Sequence, residues 1–249
     1  MTLGVAVVIP AQDEEDHVAT TVRSVRASLE DACSQGLVTA WDVEVVAHRC
    51  TDRTAARAVQ ALDGRGTVTR DETSATVGEV RDAGVRRALA RLATPRSSTW
   101  VASTDADTTV GPGWLASIIR AAAVHGVVGV VGVTALDRWR GTARGAAAYH
   151  ELLLSKHHGR DGGLHRHDHV YGANLAVRAD AYLDVGGFPR TGHGEDQALV
   201  DALAARGHRL LRTRDISVVT SGRLLGRAEG GLATCLSRLD EPPGIVGVA

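Results

Sequence analysis

Short β-branched runs alternate with helix-spaced segments through the first half of the chain, and that alternation restricts the fold more than any other feature. Val5 to Ile9 is an unbroken apolar run stopped by Pro10, the pattern of a strand covered on both faces in a parallel sheet. Val18, Val22, Val25 and Leu29 follow at spacings of three and four, an amphipathic helix. "WDVEVVA" (41–47) predicts a second strand, "TDRTAARAVQAL" a helix with Thr51 or Asp52 as its cap, and "GTVTRDE" a short third strand. "VGEVRDAGVRRALARLA" reads as a long helix, "TWVAST" as a strand, and "GPGWLASIIRAAAVHG" as a helix opened by Pro112. To about residue 126 the series is that of a doubly wound α/β fold, with a mostly parallel sheet between layers of helices.

Beyond that point the pattern loosens. "VVGVVGVTAL" is strongly β-prone, with glycines that predict a bend or bulge. Residues 137–170 predict a helix near 143–156 and then a long mobile Gly- and His-rich loop. "GANLAVRADAYLDVGGF" returns to strand then helix, "EDQALVDALAARG" is a helix, and "HRLLRTRDISVVT" gives one or two closing strands. Residues 222–249 predict a basic stretch, a short helix and a Pro/Gly-rich tail, and nothing reads as a linker between two folding units. A chain of 249 residues is long enough to bury a sizeable core as a single domain.

Composition narrows the function classes. Lys+Arg of 28 against Asp+Glu of 29 leaves a net charge of −1, which gives no general attraction to nucleic acid or anionic lipid. Cys33, Cys50 and Cys235 are too scattered for a disulfide framework or a Cys-based zinc site, and a reducing cytoplasm is the expected location. The opening "MTLGVAVVIPAQDEE" is expected to be a first strand and not a leader, and no run approaches the roughly 18 apolar residues of a membrane span.

The chemistry concentrates in "WVASTDADTTV", residues 100–110, where Asp105 and Asp107 follow a strand directly. In an open α/β sheet ligands sit beyond the carboxyl ends of the strands, so both carboxylates arrive at that edge. Crowded there, they repel each other, and a divalent cation relieves the repulsion. Hard oxygen ligands select Mg²⁺ or Mn²⁺, the usual companions of a diphosphate. The alternative, that one of them caps the following turn or helix, stays open on these residues alone.

Six stretches in order, "VAVVIPAQDEE", "CTDRTA", "VGEVRDAGVRRAL", "STDADTTVGPGWL", "YGANLAVRADAYLDVGGF" and "GEDQALVDALAARGHRL", resemble the motif series of the family 2 GT-A nucleotide-sugar glycosyltransferases, from about residue 4 to 220. The resemblance implies a Rossmann-like GT-A fold whose half to about residue 126 binds the nucleotide. The half from about 127 to 221 would then face a hydroxyl acceptor, with 222–249 as a tail. By the same resemblance Pro10, Ala11, Gln12 and Glu14 line the base and ribose, and Asp105 with Ala106 faces the donor. Asp107, with Asp105, holds Mg²⁺ or Mn²⁺ through the donor diphosphate, and Arg81 contacts diphosphate or base. Gly172, Ala173 and Asn174 form the sugar-pocket wall, Glu195 positions the acceptor, and Asp196 is the general base of an inverting transfer. For each, a structural alternative stands beside the functional one: a surface ion pair for Arg81, helix N-terminal acids for Glu195 and Asp196, and a backbone-satisfied core amide for Asn174.

Two departures qualify this pattern. Where many relatives carry an acidic pair after the second strand, this chain has Ala47 and His48, which leaves the nucleobase open among UDP, GDP and dTDP; His48 is the candidate base contact. Where many relatives have a metal-ligating His after the last strand, it has Thr220 and Ser221 followed by Arg223 and Arg227, with His193 as a substitute ligand. Arg223 and Arg227 read either as replacements for part of the cation's charge or as solvated tail residues. The spacing of His157, His158, His165, His167 and His169 matches no tetrahedral zinc site, and a lid over the acceptor is the expectation for that segment. "DADTT" also fits the first motif of haloacid-dehalogenase phosphatases, with Asp105 as nucleophile, although a complete βαβ series precedes it. A non-catalytic nucleotide-sugar binder is the remaining alternative. The sugar, the acceptor and the oligomeric state are not encoded in any feature of the chain that we recognise.

Overall fold

The computed structural model describes residues 3–161, 164–191, 193–227 and 230–241. The first run forms β1 (Gly4–Ala11), with Val5, Val7, Val8 and Ile9 wholly buried as a two-sided strand requires. Helix α1 (Val18–Ser34) buries Val18, Val22, Val25 and Leu29 along its inner face. There follow β2 (Ala40–His48), α2 (Thr54–Leu62), β3 (Thr67–Asp71), α3 (Val77–Arg91), β4 (Thr99–Ser103) and, after the two-residue β5 (Thr108–Thr109), α4 (Trp114–His125). Helix α3 starts on a capping box: Thr76 Oγ1 accepts from the Glu79 amide at 3.2 Å, and Glu79 Oε2 accepts from the Ala75 amide at 2.6 Å.

The second half runs β6 (Gly129–Leu136), α5 (Ala143–Ser155), β7 (His157–Asp161), β8 (Leu164–His167), β9 (Leu175–Arg178), α6 (Ala179–Asp184), α7 (Glu195–Ala205), β10 (Leu210–Thr220) and α8 (Leu232–Asp240). One eight-stranded sheet has the order β3-β2-β1-β4-β9-β6-β10-β5, parallel except where β9 lies between β4 and β6 and where β5 meets β10. Helices α1, α2 and α4 cover one face and α3, α6 and α7 the other, each over its own apolar core. The two closing strands allowed for 208–220 are a single strand, β10, irregular between Arg212 and Ser217 opposite Gly132.

Residues 157–161 and 164–167 differ from the loop expected there. They form an antiparallel hairpin, β7 with β8, which periodicity could not reveal because its glycines and histidines carry no apolar alternation. The side chains of His157, His158 and His165 lie outside the described residues. His167 is buried with its Nε2 3.1 Å from the Val131 carbonyl oxygen.

Strand order places the site. Successive crossovers run from β1 outward through β2 to β3, and β4 then returns to the opposite side of β1, so the loops after β1 and β4 leave the sheet in opposite directions and open a crevice between them. The β1 loop holds Asp13 and Glu14; the β4 loop holds Asp105 and Asp107.

Candidate active site

Arg81, on the inner face of α3, is the centre of the crevice. Its guanidinium is buried, and all three nitrogens are engaged: Nε with Glu195 Oε1 at 3.1 Å, Nη1 with Ser103 Oγ at 2.6 Å, and Nη2 with Asp105 Oδ1 at 2.5 Å. The Phe188 ring lies beneath it, with Cζ 5.9 Å from the centroid. Burial opposes its charge, but Asp105, Glu195 and then Asp196 more than offset that and keep it protonated. Close approach demands a glycine opposite: a Cβ on Gly172 would stand 2.8 Å from Arg81 Nη2. The surface ion pair allowed for Arg81 is therefore excluded by its burial.

Asp105 and Asp107 project from the β4 loop, which Thr21 Oγ1 fixes by donating to the Ala106 carbonyl at 2.8 Å. Asp107 is enclosed. Burial first, and the charge of Asp105 second, push its carboxyl up to about 6, with Arg223 working in the opposite direction. Thr220 Oγ1 reaches it at 3.4 Å and receives a bond from Thr108 Oγ1 at 2.9 Å. Hard carboxylate oxygens holding more negative charge than their neighbours neutralise are a donor set that suits Mg²⁺ or Mn²⁺.

Asp196 stands on the first turn of α7, behind Gly194, whose φ of 72° turns the chain into the helix. Its Oδ2 accepts from the Gly172 amide at 2.7 Å and its Oδ1 from the Gln197 amide at 2.7 Å, so the carboxylate is held at both ends with a lone pair left on each oxygen. Burial, then the adjacent Glu195, raise its pKa above the ordinary aspartate value.

A cavity of about 490 Å³ joins these groups, lined by Arg81, Asp105, Asp107, Gly172, Glu195 and Asp196 among others. A wider hollow of about 660 Å³ beyond α3 contains none of the predicted site residues, and its Arg86 is already paired with Asp82 at 2.7 Å. Ala173 also lines the first cavity, but Asn174 does not: its Oδ1 accepts from Trp114 Nε1 at 2.9 Å while its Nδ2 donates to the carbonyls of Val133 and Ile216. Asn174 therefore ties α4 to β6 and β10 as the backbone-satisfied core amide. Pro10, Ala11, Gln12, Glu14, His48 and Ala106 lie outside this cavity's lining. The first four end β1 or begin its loop, and Ala106 is buried by its carbonyl bond to Thr21. His48 Nδ1 sits 3.1 Å from the Asp71 carbonyl oxygen at the β2–β3 edge.

Several members carry little signal in the sequence. Ser103 stands only at a strand end, and Thr220, noted there in place of a metal-ligating His, reaches Asp107. Tyr149, Tyr171 and Lys156 reach the cavity from α5 and from the segment after the hairpin, where spacing is uninformative. Arg223 is drawn inward, with Nη2 in contact with Glu14 Oε1 and 3.1 Å from Asp107 Oδ2, and Arg227 Nη2 donates to the Asp13 carbonyl at 2.7 Å. Arg223 is therefore not a solvated tail residue, whereas Arg227 is exposed and held by that one bond. His193 lines the cavity beside them.

Among the described residues a second group of potential ligands, Asp13, Cys50 and Asp52, gathers across the β1 and β2 loops. Asp13, in the left-handed region at φ 50°, already accepts from the Thr51 and Asp52 amides at 2.7 and 3.3 Å. Asp52 accepts from Thr54 and Glu15 amides, and burial keeps the Cys50 thiol protonated. These acids are spent on joining two loops.

A family model described as glycosyl transferase family 2 matches residues 6–185. The fold is similar to a mannosyltransferase, PcManGT, from Pyrobaculum calidifontis in complex with GDP-Man and Mn²⁺ (TM-score 0.64, 18% identity, 90% of this chain and 57% of that one). It is likewise similar to S. aureus TarS 1-349 in complex with UDP-GlcNAc (TM-score 0.62, 16% identity, 94% and 61%). GalNAc-T7 with UDP, GalNAc and Mn²⁺ aligns at TM-score 0.63 and 15% identity over 96% of this chain and 47% of that one. The chain thus spans about three-fifths or less of the length of these structures. No curated protein matches its sequence. No helix among the described residues is long and apolar enough to cross a membrane.

Proposed function

The chain belongs to glycosyl transferase family 2 and has the GT-A fold, and from that premise we propose that it moves a sugar from a nucleotide-diphosphate sugar to an acceptor hydroxyl, with inversion at the anomeric carbon. The observation that carries this is the convergence of Asp105, Asp107 and Asp196 on one cavity, with Arg81 spanning its two sides. Asp105 and Asp107 would hold Mg²⁺ or Mn²⁺, an assignment supported by the Mn²⁺ bound in two of the similar structures. Held there, the cation would supply Lewis-acid stabilisation of the charge growing on the departing nucleoside diphosphate.

The remaining steps belong to the chain's own groups. Asp196 takes the proton of the acceptor hydroxyl as its oxygen attacks the sugar from the face opposite the leaving group. Its raised pKa makes it a stronger base than an ordinary aspartate, and the two amide bonds aim it. Arg81 fixes Asp105 on the donor side relative to Glu195 on the acceptor side, which holds the reactants at a constant separation. Both GDP and UDP donors occur among the similar structures, and with His48 in place of a base-reading acid neither is favoured here.

Thermal shift against UDP, GDP, dTDP and CDP, each with Mn²⁺ or EDTA, tests donor recognition, followed by nucleoside diphosphate release from the matching sugar donor. One nucleotide should stabilise the protein only with Mn²⁺. Asp196→Asn should retain that shift while losing roughly 10²–10⁴-fold in turnover. A shift indifferent to EDTA, or full turnover by Asp196→Asn, contradicts the proposal.

A further inference from the structure

Glu14 and Asp107 face each other across the β1/β4 crevice, and the Arg223 guanidinium lies between them. Both acids are nearly closed to solvent, with side chains 5% and 12% exposed, so each needs a positive partner where water cannot supply one. Arg223 supplies it without belonging to a helix or strand. It sits between β10 and α8, in a stretch otherwise tied down by the Gly222 amide on Asp137 Oδ1 at 2.8 Å and by Arg227 on the Asp13 carbonyl at 2.7 Å. A guanidinium and a hard divalent cation draw on the same carboxylate lone pairs, so Asp107 cannot serve both fully at once. A displaced guanidinium in this crevice, already alongside Asp105 and Asp107, would meet the group those acids are read as receiving.

We propose that Arg223 is a resident counter-ion of the donor site: it neutralises Glu14 and Asp107 while the site is empty, yields Asp107 to the divalent cation, and then pairs through its two-pronged guanidinium with the donor's diphosphate. This rests on the assignment of Asp105 and Asp107 as cation ligands. It adds that the chain opposes cation binding in the absence of nucleotide and favours it in its presence.

The test is Mn²⁺ titration of the free protein followed by electron paramagnetic resonance, without donor, and then calorimetric titration with UDP and GDP at saturating Mn²⁺. Wild type, Arg223→Gln and Arg223→Lys are compared, with circular dichroism confirming the fold of each. Arg223→Gln should bind Mn²⁺ at least about ten-fold more tightly than wild type, because its rival is gone, and bind the nucleoside diphosphate about ten-fold more weakly. Arg223→Lys keeps the charge but not the fork, so it should match wild type for Mn²⁺ while still losing diphosphate affinity. Should Arg223→Gln not fold, the Lys variant alone decides, and wild-type diphosphate affinity in it overturns the proposal. Unchanged or weaker Mn²⁺ binding by Arg223→Gln overturns the proposal and leaves the cation site standing. Absence of Mn²⁺ binding in all three proteins removes the cation site itself, and the proposal with it.

Discussion

At the scale of single residues, Arg81 governs the site because burial leaves it no alternative partners. Two of its three bonds neutralise acids, Glu195, which is buried with it, and Asp105, which is partly open to water; the third goes to Ser103. Arg81→Met should therefore cost about 3–5 kcal/mol in urea denaturation, since two acids lose their cation together. Arg81→Lys restores the charge but not three directed donors, and should recover only part of that loss. Equal stability of Arg81→Met and wild type would show that the acids find other partners. Asp105, Asp107 and Asp196 are readable from the sequence because each follows a recognisable strand end or helix start. Arg81 is singled out there only by the resemblance; spacing alone does not separate it from Arg86, Arg87 and Arg91, because which face of α3 turns inward depends on β1 and β2. Arg223 is noticed in the sequence only as one of two readings of the stretch after the last strand, and its partners Glu14 and Asp107 are too distant along the chain to be read there.

At the scale of elements, continuous apolar runs and three-four spacing carry the pattern to about residue 126, since each strand there is buried on both faces and each helix on one. The hairpin of β7 and β8 escapes because its pairing is not accompanied by alternating burial in the sequence. Elements of the second half are joined by side chains. Asp240, at the end of α8, accepts from the amide and hydroxyl of Thr142 at 2.6 and 2.7 Å, and Thr142 in turn caps α5 by accepting from the Gly145 amide at 3.1 Å. Asp240→Ala should weaken the start of α5 by about 1 kcal/mol, seen as roughly five-fold faster hydrogen exchange over residues 142–146. Exchange in β1 and β4 should not change. Faster exchange throughout would instead mean that α8 supports the whole sheet.

At the scale of the whole molecule, the site costs stability and the cost depends on pH. Asp107 titrates near 6 in the folded chain against an ordinary 3.8, so between about pH 4 and 6 the folded state holds a proton that the unfolded state has released. Stability therefore falls as pH rises through that window, and the penalty stays in full above it. Asp107→Asn removes the titration. In the absence of metal it should be more stable than wild type at pH 8 by about 2 kcal/mol, or roughly 4–8 °C in Tm, and no more stable at pH 4. On the proposed mechanism function has the opposite sign, because Asp107 and Asp196 would both act as carboxylates, and turnover and Mn²⁺ binding should rise with pH through about 6, where Asp107 titrates. A wild-type Tm that is flat across that window, or an Asp107→Asn protein less stable than wild type at pH 8, would mean that Arg223 compensates the buried charge in full.

Two clusters of acids flank the β1/β4 crevice, and the cation is assigned to only one of them. Anomalous diffraction at the manganese edge, from crystals grown with Mn²⁺ and the nucleoside diphosphate that binds best, separates them directly. A peak is expected within coordinating reach of Asp107, next to the diphosphate and in the cavity that holds Asp196. A peak at Asp13, Cys50 and Asp52 with none at Asp107 would contradict it.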